Sequence, residues 1–131
     1  MGRKNSPSAN KELNELIAQY ETARAENRQL YLDGDQLADI ADQYAAGRKF
    51  NEAQEVITYG LHLHPDSTDL LVEQAYLYLD TGKIPLAKKV VESITDEYDT
   101  DVKMLKAELM LNEGQLENAR NVLDTIEDAD E

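Results

Sequence analysis

The sequence predicts an all-α fold, an array of stacked helical hairpins, and three observations carry that prediction. A short stretch, GRKFNEA at Gly47 to Ala53, returns as GKIPLA at Gly82 to Ala87 and as GQLENA at Gly114 to Ala119. The spacing is regular, with 34 residues from Ala53 to Ala87 and 32 from Ala87 to Ala119. A period of this size, holding a helix, a glycine turn and a second helix, marks stacked helical hairpins. Composition agrees, because a chain with no Trp, one Phe and an abundance of Ala, Leu, Glu, Asp, Gln and Lys suits helices better than strands.

Met1 to Asn10 is polar, with too little apolar surface to offset the entropy of ordering, and reads as a flexible tail over residues 1–10. The helical repeat domain then spans residues 11–131. Leu13, Leu16, Ile17, Tyr20 and Ala23 form one apolar stripe at helical spacing, which predicts a lone amphipathic helix over about 11–27. Its task is to cover the first open face of the stack. Asp33 caps the next helix and Gln36 reaches back to it, while Leu32 and Leu37 staple the entry. That helix runs on Leu37, Ile40, Ala41 and Tyr44 to Gly47. Glycine tolerates the left-handed conformation that closes a last turn.

The return helix, from about Phe50 to Leu63, buries Phe50, Ala53, Val56, Ile57 and Gly60. Pro65 stops it, and Asp66 or Ser67 caps the fourth helix. Leu70, Leu71, Gln74, Ala75 and Tyr78 carry that helix to Gly82. Pro85 then sits in the first turn of the fifth, where a missing N–H is harmless, ahead of Ala87, Val90, Val91 and Ile94, which share its stripe with Ile84. The last repeat is two residues short, so the fifth helix is clipped or its link is tighter. Val102, Leu105, Ala107, Leu109 and Met110 form the sixth helix, and Leu116, Ala119, Val122, Leu123 and Ile126 the seventh. The acidic end EDADE is expected to fray. The repeats thus fall at about 34–66, 67–99 and 100–131.

These residues resemble tetratricopeptide repeats, a family of helix-turn-helix units stacked into a right-handed α-solenoid. In the first copy Leu37, Ile40, Ala41 and Tyr44 match the large, large, small and aromatic sites of the first helix. Ala53 matches the small site of the second helix, Phe50 the aromatic site behind the turn glycine, and Pro65 the closing proline. Gly60 stands where the family usually has a second Ala, and the turn glycine is displaced by one residue. The second copy keeps Leu71, Ala75, Tyr78, Gly82, Ile84 and Ala87, and the third Ala107, Gly114, Leu116 and Ala119. Gln74, Lys103 and Lys106 depart from the pattern, which leaves the rotation of the sixth helix open by about one residue. The resemblance covers Leu37 to Glu131, and the lone helix before it looks like the opening of longer bacterial multi-repeat proteins of this family.

A formal net charge of −14 disfavours nucleic acid and anionic membranes as partners. The absence of cysteine excludes disulfides, a thiol nucleophile and cysteine-based zinc, and it fits the cytoplasm. MGRKNSPSAN has basic residues but no apolar core behind them, so it is not a secretory signal. His62 and His64 lie two apart, which points them to different faces rather than to one metal. DGD at Asp33 and DEYDTD at Asp96 lack the glycine and distal glutamate of a calcium loop, and helix capping by Asp33, Asp99 or Thr100 accounts for them better. No nucleophile turn or phosphate loop is present. The expectation is a protein without catalysis, cofactor or metal.

The resemblance implies that the inward side of each first helix lines a concave groove for peptides. By matched position the groove candidates are Asp39, Asp42 and Ala45 from the first repeat, Glu73, Tyr76, Leu79 and Asp80 from the second, and Glu108 and Asn112 from the third. The family's clamp for a peptide C-terminal carboxylate needs Lys with Asn or Arg at such sites, and acids stand there instead. The function this implies is a protein-interaction scaffold that holds a basic or neutral protein segment in an acidic groove. The alternative is a structural spacer, the opening part of a longer solenoid with an empty groove. The apolar face of the last hairpin has no further helix to cover it, which predicts either a longer chain or self-association there.

Overall fold

The computed structural model describes residues 7–129, with side chains over residues 10–126. Among the described residues there are seven helices and no strand: α1 (Pro7–Ala25), α2 (Gly34–Ala46), α3 (Phe50–Leu63), α4 (Thr68–Asp80), α5 (Ile84–Ser93), α6 (Thr100–Asn112) and α7 (Leu116–Ala129). They form an all-α solenoid of three hairpins, α2–α3, α4–α5 and α6–α7, behind α1. Each hairpin packs within itself, α4 packs on both α2 and α3, and α6 packs on both α4 and α5. None of these helices is long and apolar enough to cross a membrane.

Local chemistry sets the helix starts. The Asp33 side chain accepts from the Gln36 amide at 2.8 Å, and the Gln36 side chain accepts from the Asp33 amide at 3.1 Å. Leu32 and Leu37 meet in the core beneath this capping box. Ser67 and Asp99 cap α4 and α6 by accepting from the Leu70 and Val102 amides, which settles the cap left open between Asp66 and Ser67. α5 has 10 residues against 14 in α3, and the link after it, residues 94–99, is two longer than residues 64–67, which together leave the last period two residues short.

The turns correct one expectation. Gly47 is the C-cap of α2 but has φ −85°, and the left-handed residue after it is Arg48, at φ 60°. Arg48 donates to the Ala45 carbonyl and Lys49 to the Tyr44 carbonyl, which closes a Schellman motif. The same pair of bonds recurs around Asn27, Gly82 and Gly114, each with positive φ. Arg48 tolerates the turn with its guanidinium 5.4 Å from the Phe50 ring centroid.

The boundaries of α1 also differ from expectation. It begins at Pro7 rather than at Lys11 and stops at Ala25. The tail expected over residues 1–10 lies outside the described residues at 1–6, and its remainder is helical. At the other end α7 continues through Ala129, and residues 130 and 131 lie outside the description. Tyr20 and Ala23 of α1 are buried, while Leu13, Leu16 and Ile17 pack against the core of the first hairpin. The Tyr44 hydroxyl donates to the Glu21 carboxylate, and burial, with this bond second to it, pushes the phenol well above its ordinary range.

Two core clusters share one wall. Leu70 and Leu77 of α4 join Leu37, Ile40, Ala53, Val56 and Ile57, whereas Val72 and Ala75 of the same helix join Ala87, Val91, Val102, Leu105 and Leu109. The expected stripe on α4 is therefore corrected. Leu71 and Tyr78 are only half-buried, while Val72, Glu73 and Leu77 are buried. A helix covered on both sides buries residues all round, so its sequence has no single apolar face. In α6 the buried set is Val102, Leu105, Ala107 and Leu109, which fixes its rotation and leaves Met110 half-buried.

Candidate functional site

The inner helices α2, α4 and α6 lie in sequence against one another, and every groove candidate is on one of them. Asp39 is exposed on α2, and Asp42 and Ala45 beside it are half-buried. On α4, Tyr76 and Leu79 are half-buried and pack against the second core cluster, while Asp80 is exposed at the helix end. Glu108 and Asn112 are exposed on α6, where the Asn112 amide donates back to the Glu108 carbonyl at 3.1 Å. Glu73 departs from the expectation of an open lining, because it is 5% exposed.

Electrostatics links two of the repeats. Glu108 has its carboxyl pushed up, first by partial desolvation and then by the negative charge of Asp80 on the preceding inner helix. The two acids, 28 positions apart in sequence, feel each other across the inner face. Asp39, Asp69, Glu73 and Tyr76 are each engaged in a contact of their own.

Asp35, Asp69 and Asp101 were not among the candidates, yet each stands in the first turn of an inner helix. Their spacing of 34 and then 32 residues was the available signal, since it equals the repeat. Acids there interact favourably with the positive end of the helix dipole. Asp35 and Asp69 join Asp96, Asp99 and His64 around a recess of about 430 Å³ at the start of α2 and α4. The two histidines separate: His62 is exposed, and His64 Nε2 donates to the Leu32 carbonyl at 2.9 Å, with the Tyr31 ring edge-on to it. Among the described residues no group of three or more His, Cys, Asp or Glu is arranged to hold a metal ion.

Gln74, the departure from the repeat pattern, also finds its reason here. Its amide and that of Gln54 on α3 exchange two hydrogen bonds, at 2.9 and 3.0 Å, so a polar pair replaces an apolar contact between the first and second hairpins. The sequence profile of the tetratricopeptide repeat family matches residues 44–109, from the end of α2 into α6 and half of the chain. The chain belongs to the tetratricopeptide repeat family. Such repeats generally mediate protein–protein interaction and are typically scaffolds rather than enzymes. Comparison with curated proteins and with solved structures gives no match.

Proposed function

We propose that this tetratricopeptide repeat protein is a non-enzymatic interaction module whose inner face binds a protein segment rich in Lys or Arg. The observation that carries the reading is the charge of the inner helices, since α2 and α4 hold acids and neither Lys nor Arg, and Glu108 of α6, its carboxyl raised first by desolvation and then by Asp80, adds to a field that favours a cation. Asp39 and Asp42 extend the negative field along α2, while Tyr76 and Leu79 offer apolar contact between the acids. The cysteine-free composition supports a cytoplasmic setting for such a module.

The test is a titration of a short synthetic Lys/Arg peptide against the wild-type chain and the Asp39→Lys/Asp42→Lys variant, at low and at high salt. Affinity is expected to fall at least about tenfold in the variant at low salt, a loss near 1.4 kcal/mol, with the melting temperature unchanged. High salt should remove most of the difference, because the screening length shortens from about 10 Å at 0.1 M to about 3 Å at 1 M. Equal affinity for both proteins would sink the groove reading.

One observation favours a second reading, that of a spacer within a larger array. Leu116 is 67% exposed and Leu111 48%, and Val122, Leu123 and Ile126 are not fully buried, so the last hairpin presents an apolar edge that a further repeat or a second copy would cover. Light scattering that shows a dimer would support cover by a second copy, and a monomer at high concentration would sink it.

A further inference from the structure

The link between α1 and α2 carries a surface of opposite sign to the inner face. α1 ends at Ala25, and Asn27 takes the left-handed conformation that asparagine tolerates, at φ 53°, with the Arg28 amide donating to the Ala23 carbonyl at 2.8 Å. From Gln29 to Leu32 exposure alternates as in an extended chain: Gln29 and Tyr31 are exposed, Leu30 is half-buried and Leu32 is buried. The carbonyls of Leu30 and Leu32 accept from the Tyr59 hydroxyl at 3.1 Å and from His64 Nε2 at 2.9 Å, so α3 and its C-cap hold one edge of this stretch. Alternate residues of an extended chain turn their backbone groups to opposite edges. Those of Gln29 and Tyr31 therefore face the other way, and among the described residues they make no hydrogen bond. Beside the stretch lies a recess of about 540 Å³, where the end of α1 and the link meet Tyr59 of α3, and its lining holds Arg24 and Arg28 but no acid. No residue of α2, α4 or α6 lines it.

We propose that residues 28–31 and this recess form a second docking site, for an extended peptide segment that carries Asp or Glu beside an apolar side chain. The site goes beyond the groove reading and does not depend on it. Charge complementarity supports the acid. Arg24 meets Glu55 at 2.6 Å and Arg28 meets Glu26 at 3.1 Å, with all four side chains at least half-exposed. Ion pairs so exposed hold weakly, so a peptide carboxylate can take the place of either glutamate and accept the paired hydrogen bonds that a guanidinium offers. The recess has the volume of an ordinary ligand site, and Tyr59, half-buried beside Leu30, gives an apolar side chain a ring to pack on. The open backbone edge at Gln29 and Tyr31 suits an extended segment, which would add to it as a strand. The net charge of −14 repels a polyanion, which favours a short acidic segment over a nucleic acid.

The experiment titrates a synthetic peptide of alternating Glu and Leu, ELELE, fluorescein-labelled at its N-terminus and amidated at its C-terminus, with the full chain and with its Arg24→Gln/Arg28→Gln variant, reading binding by anisotropy. A QLQLQ peptide labelled in the same way removes the charge, and amide hydrogen exchange followed by NMR locates the contact. The expected result is that affinity for ELELE falls at least about tenfold in the variant, that QLQLQ binds the full chain more weakly by a similar factor, and that ELELE protects the amides of Gln29 and Tyr31. Circular dichroism melts check that the variant folds, and the single exposed change Arg28→Gln carries the test if the double variant does not. No binding of ELELE, or equal affinity of the full chain and the variant, would overturn the site. Protection of amides on α2, α4 and α6 in place of Gln29 and Tyr31 would overturn it too, as would tighter binding of a single-stranded oligonucleotide that displaces the peptide.

Discussion

Arg48 and Gly47 show how a single residue decides a turn. The left-handed site falls on Arg48 in the first hairpin and on Gly82 and Gly114 in the other two. At Gly82 an added Cβ would meet nothing within 4 Å, so Gly82→Ala tests backbone strain alone and is expected to lower stability by roughly 1–2 kcal/mol. Gly47 has an ordinary negative φ, and an added Cβ would touch only carbonyl oxygens at 3.6 and 3.7 Å. Gly47→Ala should therefore stabilise, by about 0.4–1 kcal/mol. Thermal melts of the two variants should move in opposite directions. Glu108 makes a second test at this scale. Its folded-state pKa is raised above 4.5, so its stabilising contribution is complete in acid and is lost as pH climbs through the raised value. Glu108→Gln should raise the melting temperature near neutrality and leave it unchanged in acid. The gain is at most about 0.5 kcal/mol, because the side chain is largely exposed.

At the scale of the element, α4 is the helix on which the others depend. It supplies Leu70 and Leu77 to one core cluster and Val72 and Ala75 to the next, and it contributes Gln74 to the amide pair with Gln54. Replacing one amide strands the other in a part-buried site, which typically costs about 1–3 kcal/mol, whereas replacing both by apolar groups is nearly neutral. Gln54→Leu and Gln74→Leu are each expected to destabilise, with the double variant less harmed than the sum of the two. Denaturant melts of all four proteins measure the coupling. Additive losses would show that the pair contributes nothing as a pair. Where α3 meets α4 the approach is tighter still: a Cβ at Gly60 would lie 2.8 Å from Leu70 Cδ1, which is why glycine stands where the repeat pattern has alanine.

For the whole molecule, stability is close to a sum over neighbours, because α1 packs on α2 and α7 packs on α6 while α4 touches four other helices. Opening should begin at the ends. Hydrogen exchange is expected to be slowest in α4 and fastest in α1 and α7, and mass spectrometry of peptides from each helix reads the order directly. Uniform protection along the chain would mean a single cooperative block.

The period of 34 and 32 residues, the capping box at Asp33 and Gln36 and the small residues Ala53, Ala87 and Ala119 were all legible without a structure, because helix starts, turns and close approaches depend on local chemistry. Periodicity failed on α4, since a helix enclosed by two hairpins has no solvent side to mark its rotation. Glu73 read as an open groove acid and is in fact buried. The left-handed residue is Arg48 rather than Gly47 because the turn falls two residues past the end of the inner helix in all three hairpins, and in the first the glycine stands one position early. Sequence by itself determined the repeat, its family resemblance and the acidic character of the inner helices. Which acids face one another, and which are closed off, was decided only by how α4 is held between its neighbours, because those distances belong to packing between helices far apart in the chain.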